Sequence, residues 1–111
     1  MKLFREFFFN IQNHNMSDFF SSQEIGLIHL LFLRLPGYGE QYRDLAHMMR
    51  QVVSNGSIKF EHLKIIKATL QMTCIDKLSW GYNSPTEKEI FETNAPNIQR
   101  KINEILREKE T

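Results

Sequence analysis

The chain has 111 residues, with 14 Lys and Arg against 13 Asp and Glu and a formal net charge of +1. That balance excludes a global electrostatic pull toward nucleic acid or anionic lipid. Apolar residues at 41% and charged residues at 24% exclude disorder as the main state, and a single cysteine excludes an intrachain disulfide.

This length fits one domain, 1–111, large enough to bury a core without staples. No internal repeat, low-complexity tract or long linker divides it. A lone thiol, Cys74, in an apolar context suits a reducing compartment, so the expected location is the cytoplasm. The opening M-K-L-F-R-E-F-F-F-N-I-Q does not read as a secretory signal. Glu6 and Asn10 interrupt its apolar run and no small-residue cleavage site follows.

The first predicted helix runs from about Lys2 to Asn13, with Leu3, Phe4, Phe7, Phe8 and Ile11 along one face. Asn13-His14-Asn15 loosens or ends it, and Met16 to Phe20 is too short to assign.

Ser21 and Glu24 then form a capping box at the start of a second helix, 22–35. Nine of the eleven residues from Ile25 to Leu35 are apolar or glycine, which leaves no polar face at helical spacing. The stretch is half the length a bilayer span needs, about 20 residues. It therefore predicts a buried central helix with the others packed around it. Leu35-Pro36-Gly37-Tyr38-Gly39 ends it, because proline disfavours the helical region in the residue before it.

A third helix is predicted from about Gly39 to Ser54, striped by Tyr42, Leu45, Met49, Val52 and Val53. Asn55-Gly56 stops it, and Ser57 offers the cap of a fourth helix from about Ile58 to Leu78. Leu63, Ile66, Leu70, Cys74 and Leu78 mark its apolar face, which Phe60, Ile65, Met72 and Ile75 widen. Ser57 to Phe60 is the one stretch compatible with a short extended piece.

Trp80-Gly81-Tyr82-Asn83 forms an aromatic loop, and Ser84-Pro85-Thr86-Glu87 a capping box with proline at the first helical position. A short helix with Ile90 and Phe91 follows. Asn94-Ala95-Pro96 is expected to break it before a last helix striped by Ile98, Ile102, Ile105 and Leu106. The predicted fold is all-α: one compact bundle of five to six helices around the central helix at 22–35.

None of the chemistry-bearing residues falls in a catalytic or metal-ligating spacing. His14, His29, His47 and His62 are widely separated, and no second cysteine completes a zinc set. No metal or cofactor is expected. His29, inside the apolar helix, reads as a structural histidine, and Cys74, with Lys77 as its one local cation, as a small buried hydrophobe.

Lys59, Lys64, Lys67 and Lys77 form a basic stripe on the fourth helix, interleaved with Glu61 and Asp76. The stretch from Asp44 to Leu70 has a helix-turn-helix outline, but its second helix is too apolar to lie free in a groove. Arg100, Lys101 and Glu104 read as a solvated face. Trp80 and Tyr82 are of the residue types enriched at binding hot spots, and Glu87, Glu89 and Glu92 follow them closely. Acids in a first helical turn also simply suit the helix dipole, and Trp80 also fits as a plug at the base of the bundle.

The expectation is a non-catalytic protein-binding domain, with Trp80, Tyr82, Glu87, Glu89 and Glu92 as its contact surface. One concrete version is an inhibitor such as a bacterial immunity protein, whose acids complement the basic active-site cleft of a toxin. The alternative is a small helical DNA- or RNA-binding regulator using Lys59, Lys64, Lys67 and Arg50. An enzyme using His29 or His62 with a nearby acid ranks third, because no spacing supplies its remaining groups.

Overall fold

Ser21 opens the helix that organises the molecule. In the computed structural model, which describes residues 14–75 and 85–110, its Oγ accepts from the Glu24 amide at 3.2 Å. The Glu24 carboxylate in turn accepts from the Ser21 amide at 2.8 Å. Both halves of the predicted capping box are present.

In chain order the elements are β1 (His14–Asn15), α1 (Met16–Phe19), α2 (Ser22–Arg34), α3 (Arg43–Asn55), β2 (Ser57–Ile58), α4 (Phe60–Leu70) and α5 (Pro85–Glu110). The predicted all-α bundle is what forms. The first predicted helix, the loop at Trp80 to Asn83 and the Ser84 cap lie outside the described residues.

Leu27, Ile28, Leu31 and Phe32 of α2, with Leu35, are buried in one cluster. They share it with Ala46, Met49 and Val53 of α3, Leu63, Ile66 and Leu70 of α4, and Phe91, Ala95, Ile98 and Ile102 of α5. This is the central helix the sequence predicts, with a qualification. Gly26 and Leu33 are exposed and Leu30 half-buried, so one stripe of α2 stays open to solvent.

Two 3-10 turns, Leu35–Tyr38 and Glu40–Tyr42, join α2 to α3, so the third helix begins four residues later than predicted. Gly56 ends α3 in the left-handed region, φ 77°, where glycine carries no side-chain penalty. Its amide reaches back to the carbonyls of Val52 and Val53.

The fourth helix also starts later than predicted. Ser57 does not cap it, because Ser57 and Ile58 pair antiparallel with Asn15 and His14. The Met16 amide extends this clip by donating to the Gly56 carbonyl at 2.8 Å. Lys59 takes the cap position instead, and Nδ1 of His62 accepts from the Lys59 amide at 3.1 Å.

After Leu70 the helix widens into a π turn, Gln71–Ile75. Buried Thr73 donates to the Thr69 carbonyl at 2.7 Å, and Gln99 of α5 donates to the Lys67 carbonyl at 3.1 Å.

The expected break at Asn94-Ala95-Pro96 does not occur. α5 runs unbroken for 26 residues with Pro96 inside it. Proline in a helix interior costs about 3 kcal/mol through its missing amide and its clash with the preceding turn. Phe91, Ala95, Ile98 and Ile102 are all buried and need one continuous helical face to be so. Each large apolar side chain contributes about 1.5–3 kcal/mol on burial, which outweighs the proline. Pro96 itself is exposed.

Candidate functional site

Two ion pairs fix α5 along α2, and one of them sits beside the open stripe. Arg34, the one charged residue between Ile25 and Leu35, donates Nη2 to Oε2 of Glu87 at 2.6 Å. The side chains are 20% and 13% exposed, so this pair is largely shielded. At the opposite end, Lys101 Nζ meets Oε1 of Glu24 at 2.6 Å.

Leu33, next to Arg34, is 47% exposed, and Ile90, one turn beyond Glu87, is 40% exposed. Residues three apart share a helix face, so Ile90 lies along the edge that Glu87 turns toward α2. The end of α2 and the start of α5 thus each carry an exposed aliphatic close in sequence to a partner of the ion pair, while Met48 of α3 is a further exposed apolar side chain, at 39%. Glu89, next to Ile90, is also exposed.

The five residues named from sequence separate on this frame. Glu87 points into the α2–α5 contact and serves as an anchor. Glu89 is exposed and Glu92 half-buried. Trp80 and Tyr82 lie outside the described residues. The sequence marks neither Leu33 nor Ile90 as a contact residue: Leu33 falls in the apolar run of α2, and Ile90 reads with Phe91 as the apolar face of a short helix.

On α4, Lys59, Lys64 and Lys67 are exposed, with Glu61 exposed among them, while Arg50 of α3 is half-buried. Lys77 lies outside the described residues. The expected solvated pair of Arg100 and Glu104 forms at 3.0 Å. Lys101 departs from that face to reach Glu24.

The histidines engage local partners. His14 packs its ring between Phe19 and Phe60 at 5.7 and 5.5 Å. His29 Nε2 lies 3.4 Å from Ser54 Oγ, and His47 Nε2 lies 3.2 Å from the Gln51 side-chain amide. Burial, reinforced by Lys59 and opposed by Glu61, holds His62 below the usual histidine value. Burial pushes the Glu24 carboxyl up, but Lys101 and the Ser21 hydrogen bonds together outweigh it and hold it below 4.5. Among the described residues, no group of three His, Cys, Asp or Glu is placed to hold a metal ion. The side chain of Cys74 lies outside the described residues.

No helix among the described residues is long and apolar enough to cross a membrane. No family model, curated protein or solved structure matches this chain.

Proposed function

We propose that this chain is a non-catalytic protein-binding domain that engages its partner where α2 ends and α5 begins. The observation that carries the reading is the exposure of Leu33, next to Arg34 in α2, and of Ile90, one turn beyond Glu87 in α5, with Arg34 and Glu87 joined in a shielded ion pair. Large aliphatic side chains open to water on a rigid support are what a partner's apolar pocket takes up. The polar rim beside them supplies orientation more than affinity.

The finer proposal is an inhibitor, such as an immunity protein, that covers the basic active-site cleft of a toxin. Glu89 supports it as an exposed acid, and Trp80 and Tyr82 support it from the sequence. With Glu87 engaged by Arg34, electrostatic complementarity to such a cleft falls chiefly to Glu89.

The test is quantitative binding to a partner isolated from the source cell. Leu33→Asp and Ile90→Asp should each weaken the complex at least about tenfold, as loss of a hot-spot contact does, with thermal unfolding unchanged. Glu89→Lys should weaken it in a salt-dependent way if the partner's surface is basic. Unaltered binding by both aspartate variants would remove this surface from consideration. Salt-sensitive retention on nucleic acid, abolished by Lys64→Glu and Lys67→Glu, would instead favour the regulator that uses α4.

A further inference from the structure

The start of α4 carries an arrangement that does not depend on the partner reading. His62 occupies the third helical position, and its Nδ1 accepts the Lys59 amide at 3.1 Å. In a capping box that position is ordinarily filled by glutamate or glutamine, which accepts at every physiological pH. A histidine accepts only while Nδ1 is unprotonated.

Three physical effects act together when it takes a proton. The acceptor for the Lys59 amide is lost. A cation appears at a helix N-terminus, where the dipole disfavours it. That cation also stands near the Lys59 ammonium, with Glu61 as the opposing charge. From the neighbouring strand, the ionisable His14 packs its ring against Phe60, the first residue of α4.

Lys59 directly follows β2, and β2 holds β1 and the Met16 amide against the end of α3. We propose that His62 is a pH-sensitive latch: protonation unfastens the first turn of α4 and with it the β1–β2 clip that holds His14 to Met16. The sign follows from the neutral form being the one that closes the latch. Closure is complete above the ordinary histidine value of 6.5 and is lost as pH falls through the lower value of the folded state.

Amide hydrogen exchange of the full chain, expressed as protection relative to an unstructured peptide at each pH, tests this. Protection at Lys59 and at the paired strand amides should fall about tenfold on mild acidification, the scale set by a lost cap. His62→Gln, which keeps the acceptor and removes the titration, should retain protection at both pH values. His62→Ala should show the reduced protection already at neutral pH. The proposal is overturned if the glutamine variant loses protection in step with the native chain. It is equally overturned if acidification leaves the native protection unchanged.

Discussion

The two ion pairs between α2 and α5 have the same length and opposite settings. Lys101–Glu24 and Arg34–Glu87 both close at 2.6 Å and join the same two helices. Glu24 is the more deeply buried acid, its side chain 7% exposed, yet its lysine partner is 31% exposed and can turn back to water. Glu24 also carries the N-terminal cap of α2, so a single carboxylate terminates one helix and ties down another. At the other end both partners are largely shielded, and the residues beside them are open aliphatics rather than a cap. One end spends its charges on local structure, while the other holds a surface in place.

The largest effect should come from Glu24→Ala, because it removes two functions at once. Loss of the cap costs about 1 kcal/mol. Loss of the carboxylate from a shielded pair adds about 2 kcal/mol, less than for a fully buried pair because Lys101 can regain water. Denaturant unfolding should show about 3 kcal/mol of destabilisation, with Glu24→Gln intermediate because its amide oxygen still caps. If alanine and glutamine are equally damaging, the capping role is negligible.

Next comes Arg34→Met, expected to cost about 2 kcal/mol because the Glu87 carboxylate loses its cation in a shielded setting. A second change, Glu87→Gln, should recover part of that loss, whereas Glu87→Gln alone should be destabilising. Simple addition of the two single effects would mean the pair does not couple.

The sequence made the helices legible where local chemistry decides them. Ser21 and Glu24 announce a cap that needs no tertiary partner, and Asn55-Gly56 marks a stop that only a left-handed residue supplies. Pro96 and Ser57 misled because distant contacts override their local preference. The packing of Phe91 and Ala95 through Ile102 holds α5 together across a proline, and the strand at His14–Asn15 takes Ser57 for pairing. The site was less legible still. Leu33 and Ile90 have the composition of core residues, and exposure follows only once the helices are assembled. A usable signal was present in Arg34: a lone charge in an apolar helix requires a carboxylate partner, and Glu87 lies in the most acidic stretch of the chain. Lys101 offered no such sign, since its neighbours Arg100 and Glu104 do form the solvated pair that the spacing suggests.

The smallest effect should appear as a pH dependence at the Glu24 end. The Glu24 carboxyl sits below 4.5 in the folded chain because Lys101 and Ser21 outweigh the cost of burying it. A carboxyl whose folded value lies below its unfolded value binds protons more readily in the unfolded state. Its contribution is therefore complete above 4.5 and lost as pH falls through the lower folded value. Urea midpoints taken from neutral pH into that acidic range should fall for the native chain. They should fall less for Glu24→Gln, which has no proton to gain at this position. The curves of the two proteins should converge at the acidic end, where protonated Glu24 and glutamine offer α2 and Lys101 the same neutral partner. Parallel curves would mean that the acid sensitivity arises elsewhere in the chain.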